Sequence, residues 1–300
     1  MELNDSRTDF RICTFSGHQR VAVRKALLKS IGSLEPSCHW TAELVASGHF
    51  ADIWDIVLLY FGKHVHAGNP RLVSYLALRA DTFRTLVNAS PTELELRNIP
   101  AVRKLFAEMM CVLCASPKRH PTEPVHVAPS DFVLTELHTK LKAPRGDFAT
   151  LLPGDAPEVA IPFNELAYAL NSKRALEACY WLEWIIEFER LCCKKKTRCV
   201  AAQRSFMDKR TDLVWIFWDL IFAALIDRPA HEKIARSTLR LFMFRFTPTI
   251  HESKRYLLYF AIALCCDPID TSMELVYDKT GIDAVLAKCN LSYKDLIEKK

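Results

Sequence analysis

The stretch that most constrains this chain is residues 26–61, ALLKSIGSLEPSCHWTAELVASGHFADIWDIVLLYF. Phe50, Ile53, Trp54, Val57, Leu58 and Phe61 recur at the three- and four-residue spacing of one helical face. Upstream, Glu35 and Pro36 suit a first helical turn, because proline has no amide proton to lose there. Trp40, Leu44 and Val45 fall on one side, and Gly48 is a natural helix stop. The spacing predicts a helix–glycine–helix hairpin with Trp40 and Trp54 facing its interior.

The same positions return at 167–226. Cys38-His39-Trp40 is echoed by Cys179-Tyr180-Trp181, and Ile53-Trp54-Asp55-Ile56-Val57 by Phe217-Trp218-Asp219-Leu220-Ile221. Ala26 and Ala167 stand equally far before the first tryptophan of each copy. Trp40 and Trp54 are 14 residues apart, whereas Trp181 and Trp218 are 37 apart. The 23 extra residues match the length of a basic segment, 189–211, read as an insertion between paired helices. The hairpin is thus the expected folding unit, with Trp40, Trp54, Trp181 and Trp218 as its repeated core.

Only 8 glycines occur in 300 residues, and half of the chain is hydrophobic, so the expected fold is all-α with a large core. Eight of the 15 prolines fall within 116–163, where apolar runs are short. That segment reads as a long surface connection. The expected organisation is an N-terminal helical bundle over 1–115, the Pro-rich connection over 116–163, and a C-terminal bundle over 164–300 carrying the insertion. Helix 212–226 is apolar nearly all round and is expected to be the most buried. FGKHVHAGNP at 61–70 reads as a turn-rich connector. Thr249-x-x-Glu252, Thr271-x-x-Glu274 and Ser292-x-x-Asp295 are capping-box patterns that predict helix starts.

The insertion carries the densest charge. Arg190, Lys194, Lys195, Lys196, Arg198, Arg204, Lys209 and Arg210 lie within 21 residues of a chain whose net charge is only +5. Such a loop binds phosphates by releasing counterions, or an acidic protein by simple attraction, or serves only to stay solvated. Regular aromatic interleaving, which a single-strand stacking platform needs, is missing from it.

Other polar groups predict little chemistry. Cys192, Cys193 and Cys199 lack paired metal-ligand spacing, and Cys111-x-x-Cys114 with His120 sits in a helix that reads as core. His64 and His66, near Lys63 and Asp55, read as surface or capping histidines. Glu43, Glu183 and Glu187 follow the tryptophans and need partners if buried, with Lys29 and Lys173 as candidates. The phosphate loop GxxxxGK[ST] and the patterns GxGxxG, HExxH and GxSxG are absent. The expectation is a protein with no catalytic residues, no metal and no cofactor. The apolar runs are too short to span a membrane, the N-terminus has no signal-peptide pattern, and eleven cysteines fit a reducing compartment.

Two resemblances add to this reading. Ala26-Leu27-Leu28-Lys29-Ser30-Ile31, Trp40-Thr41-Ala42-Glu43-Leu44, Ser47-Gly48 and Ala67-Gly68-Asn69-Pro70 resemble the C-terminal helical collar of clamp-loader-like AAA+ ATPases. In that family these helices serve oligomerisation, so the resemblance implies a packing surface and is compatible with a homo-oligomer. Lys63 and His64 stand where that family has an acidic pair, and the ATPase core is missing. The run CHWTAELVASGHFADIWDIVLLYFGKHVHAGNP, with Arg103–Glu108, Leu141–Pro144 and ACYWLEWIIEFERLCCKKK, resembles an uncharacterised family of giant nucleocytoplasmic DNA viruses. That resemblance implies a host-cytoplasmic viral factory or a virion as the setting, and no activity. The leading expectation is a non-enzymatic scaffold in viral DNA replication or repair, binding nucleic acid or a replication protein. The alternative is a minor or internal structural protein of the virion, and a third reading is an enzyme with a site near Asp55, His64 and His66.

Overall fold

The computed structural model describes residues 2–276 except 4–6, 8, 9, 91, 93, 122, 123, 198 and 207–209, together with 283, 293, 294 and 296. Among them are eleven α-helices and no strand, as the scarcity of glycine and the helical periodicity require. The chain divides into two compact units. One comprises 1–120, 252–256 and 272–300; the other comprises 121–251 and 257–271. This division differs from the sequence-based one. Most of the Pro-rich segment belongs to the second unit, and the end of the chain returns to the first.

In the first unit, α1 (Arg20–Ser30), α2 (Leu34–Ala46) and α3 (Phe50–Tyr60) pack on one another. Gly48 turns α2 into α3 in the left-handed region (φ 74°). α3 runs into a π-helical turn, Phe61–Val65, and then a short 3-10 turn, His66–Gly68. α4 (Arg71–Asn88) and α5 (Pro100–Ala115) follow, and Pro100 opens α5 as its first residue. Trp54 is fully buried and meets Phe83 of α4 and Phe106 of α5, both at 6.0 Å between rings. Phe50 stacks on Phe106 at 5.6 Å. Trp40 does not join them. It is half-buried against His18 and His39, so the expected pair of inward tryptophans is not formed. The physical reason is that α3 buries its aromatic face against α4 and α5, which the hairpin picture left out.

In the second unit, the Pro-rich segment folds into a 3-10 turn (Pro129–Phe132) and α6 (Leu134–Lys140). Asp131 fastens it to a long helix, α8 (Ala175–Lys195): its carboxylate accepts from Lys140 Nζ at 2.6 Å and from the Tyr180 hydroxyl at 3.0 Å, and its carbonyl accepts from Trp184 Nε1 at 3.0 Å. The segment is therefore a docked part of the unit, held by hydrogen bonds that a proline-rich composition does not reveal. α7 (Ala160–Asn171) packs on α8 and on α9 (Val214–Ala224); α10 (Pro229–Met243) packs on α9. α11 (Glu252–Cys266), of which only the part from Leu257 belongs to this unit, has ten consecutive buried residues, Tyr256–Cys265, and so is more continuously buried than α9. It begins at Glu252 with His251 before it and lacks a side-chain cap from Thr249. Residues 271–276 are not helical, and Ser292-x-x-Asp295 lies largely outside the described residues.

The repeat is visible inside each unit. α1, α2 and α3 correspond to α7, α8 and α9 in order and in mutual packing. Gly32, between α1 and α2, has φ 116°; Lys173, at the equivalent place between α7 and α8, has φ 58°. Trp54 and Trp218 are both fully buried, and Trp218 packs on Phe242 of the following helix at 5.6 Å. Trp181 is buried beside Trp184.

Candidate nucleic-acid interface

The insertion opens as helix. α8 runs to Lys195, so Glu189–Lys195 add about two turns to it rather than forming a loop. Arg190 points along this extension and pairs with Glu187, one turn earlier. Lys194 and Lys195 occupy the last turn and Lys196 ends the helix in the left-handed region (φ 55°). All three are exposed. Cations at this end also suit the negative pole of the helix dipole.

Beyond Lys196, backbone hydrogen bonds tie the insertion to its own far end and to the segment before α7. Ala201 N donates to Thr211 O at 2.8 Å, and Ala156 N donates to Val200 O at 2.9 Å. Arg204 is the clear exception to a solvent-facing basic loop. It is 4 % exposed and forms an ion pair with Asp155, whose side chain is fully buried, and a second with Asp219 at 2.7 Å. Ala202 N also donates to Asp155 at 2.7 Å. Arg204 is thus the strut that ties the insertion to the Leu152–Ala156 turn, with four hydrogen bonds from its guanidinium. Arg210 is half-buried, with its guanidinium 4.8 Å from the centre of the Phe246 ring. Arg198 and Lys209 lie outside the described residues. Of the eight expected contacts, the structure gathers Lys194, Lys195 and Lys196 on one exposed end and commits Arg190 and Arg204 to carboxylates.

The expected partners of the tryptophan-following glutamates are also corrected. Glu43 is buried and accepts from Ser16 N at 2.8 Å and Ser16 Oγ at 2.7 Å, not from Lys29. Glu183 accepts from the Tyr259 hydroxyl at 2.7 Å. Lys173 instead donates to the Cys265 carbonyl at 2.7 Å, where a cation stabilises the end of α11. Hydroxyls and amides serve these carboxylates at lower desolvation cost than a buried ammonium would. At the root of the insertion, Glu189 accepts from Leu213 N at 2.7 Å, and burial together with Asp212 pushes its carboxyl up to about 7.

Metal chemistry has no visible seat among the described residues, which hold no group of three or more potential ligands. None of the ten described cysteines is in a disulfide. Burial and the neighbouring Cys192 thiol push Cys199 up to about 12, which leaves it protonated and unreactive at neutral pH. No described helix is long and apolar enough to cross a membrane.

Two features escaped sequence reading. The first is a cavity of about 370 Å³ in the second unit, lined by Lys140, Lys142, Leu176, Glu177, Tyr180 and Trp181 among others. Its lysines are ion-paired, Lys140 with Asp131 and Lys142 with Glu177. The second is a cationic cluster at the π-helical turn of the first unit. Its residues are split between 60–66 and 117–120, so only the fold brings them together. No protein-family model matches this chain, and no curated protein or solved structure matches it either.

Proposed function

We propose that this protein is a non-enzymatic helical scaffold that binds nucleic acid through the lysine-bearing end of α8. The observation that carries the reading is Lys194-Lys195-Lys196: three consecutive exposed cations, none ion-paired with a described residue. The helix dipole accounts for a cation or two in the last turn. Lys196 stands beyond it, in a left-handed conformation that costs a non-glycine residue about 1–2 kcal/mol. A glycine there would fold better, and a lysine extends the charged run.

A role in DNA replication or repair rests on the collar likeness and the clustered cations; the likeness of 38–70 and 178–196 to a giant-virus family supports only the viral setting. The collar likeness supports a packing role for α1 and α2, although Leu27, Ala42 and Leu44, which carry much of it, are already buried in the chain's own fold.

The test is binding of the full chain to labelled single- and double-stranded DNA across a salt series. Affinity is expected to fall with salt by about 0.7–0.9 log units per phosphate contact for each log unit of salt. The variant K194E/K195E/K196E is expected to bind at least about tenfold more weakly, with the salt slope reduced by roughly two to three. Because these side chains are exposed, the variant is expected to melt like the wild type. Equal affinity and equal slope in the two proteins would overturn the role of this run.

A further inference from the structure

We propose that the π-helical turn Phe61–Val65, with the segment laid across it, forms a phosphate-binding site made by Lys63, His64, Lys118 and His120. The site lies wholly in the first unit and does not depend on the lysines of α8.

Its construction starts at Gly68. A side-chain carbon there would lie 2.6 Å from the Pro117 carbonyl oxygen and 3.0 Å from Arg119 N, so only glycine lets residues 117–119 lie this close. Arg119 N then donates to the carbonyls of His64 at 3.0 Å and Val65 at 3.2 Å. A π-turn leaves such carbonyls without their usual helical partners, and rare turns of this kind concentrate at functional sites. The next residue, His66, has φ 45° and ψ −125°, a conformation that strains any side chain-bearing residue. Backbone strain, a glycine-dependent contact and the two bonds made by one amide all fix the backbone near these four residues.

Those side chains converge. The rings of His64 and His120 stand 5.8 Å apart at 76°, and His64 lies 4.7 Å from the Tyr60 ring. Lys118 Nζ is 5.7 Å from the Tyr60 ring centre. The Tyr60 hydroxyl donates to the Ile31 carbonyl at 3.1 Å, so it fixes the ring rather than serving a ligand. Lys63, next to His64 on the turn, borders the group: it meets Glu252 at 3.4 Å, an exposed pair of small energetic weight, and lies 5.7 Å from the centre of the Tyr256 ring. Lys118 and His120 are exposed, and neither is ion-paired with a described residue. Burial, and then the charges of His120, Lys63 and Lys118, hold His64 below the ordinary imidazole range. The cluster thus sets two lysines and two imidazoles around the turn, with the Glu252 carboxylate on Lys63. A tetrahedral phosphate carries about two negative charges and offers acceptors on several sides, which suits two ammonium groups and two imidazoles. A small phosphate monoester presents this group in full, and a nucleic-acid backbone presents it as a singly charged diester with two free oxygens.

The experiment follows the Cε1–H signals of His64 and His120 by NMR in the full chain, assigned with H64Q and H120Q. Each is titrated with pH in millimolar inorganic phosphate and in chloride of equal ionic strength. Phosphate is expected to raise the His64 midpoint by about one pH unit, and Lys118→Ala to halve that rise or more. An identical His64 midpoint in phosphate and chloride would overturn the proposal. A short DNA strand replaces phosphate in a second arm, run on K194E/K195E/K196E. A rise with the strand assigns the site to a nucleic-acid backbone; a rise with inorganic phosphate alone assigns it to small phosphate esters. That variant keeps the site intact, so failure of the α8 reading and failure of this one are seen separately.

Discussion

Removing the Arg204 guanidinium leaves the Asp155 carboxylate buried without its counter-charge. Arg204→Met is therefore expected to lower stability by about 3–5 kcal/mol in urea melts, while nucleic-acid affinity of the folded protein stays unchanged. Asp155 and Asp219 respond differently to the shared arginine. Burial pushes both carboxyls up, but Arg204 and the Ala202 and Leu152 amides hold Asp155 below its ordinary range, whereas the more exposed Asp219 stays above its own. Asp155 is the principal partner. Because its folded pKa is depressed, its contribution is present above the unfolded value and is lost as pH falls through the folded one. Glu189 has the opposite sign. Its carboxyl is raised to about 7, so the folded state holds a proton that the unfolded state releases, and stability falls as pH rises from the unfolded value towards 7. Glu189→Gln is expected to abolish that slope, worth roughly 1–3 kcal/mol, in melts taken at successive pH values. An unchanged slope would show that the carboxyl ionises freely in the fold.

At the scale of elements, the π-helical turn and its neighbours reverse the usual rule for glycine in helices. Alanine normally improves a helical glycine position by about 1 kcal/mol. A side-chain carbon at Gly62 would lie 2.5 Å from Tyr256 Cβ, so Gly62→Ala is expected to destabilise by about 1–3 kcal/mol in thermal melts. A variant more stable than the wild type would show that α11 and this turn part easily. The sequence announced α3 through its apolar spacing, α5 through Pro100, and the correspondence of α1–α3 with α7–α9 through the tryptophan echo. It could not announce the π-turn. A π-turn has no composition of its own, and FGKHVHAGNP carries the glycine, histidine and Asn-Pro signals of an ordinary connector. Likewise Trp40 and Trp54 share one residue type, yet only Trp54 packs on Phe83 and Phe106. Periodicity gives the face of a helix, and the helices that cover that face come from elsewhere in the chain.

At the scale of the whole molecule, the same limit explains the charges and the units. A run of cations in sequence says how many there are. Whether each meets water depends on residues such as Asp155, 49 positions from Arg204. The first unit shows this most plainly, because composition suggests that it ends near residue 116, whereas residues from the end of the chain also belong to it. Asn69 Nδ2 donates to Leu275 O at 3.0 Å, Arg71 Nη1 to Met273 O at 3.2 Å, and the Arg103 guanidinium lies 4.5 Å from the centre of the Tyr293 ring. Tyr293 is 1 % exposed and Leu296 is 2 % exposed, so the end of the chain supplies buried apolar surface to this unit. Burying two such side chains contributes on the order of 3–6 kcal/mol, a large part of the net stability of a small domain. A fragment spanning 1–120 retains α1–α5 but lacks these contacts. It is expected to show helical circular dichroism with a broad, early thermal transition, and rapid proteolysis where the full chain resists. A fragment that melts as sharply and as late as the full chain would mean that α1–α5 form a self-sufficient bundle, and that the C-terminal residues add contacts without adding stability.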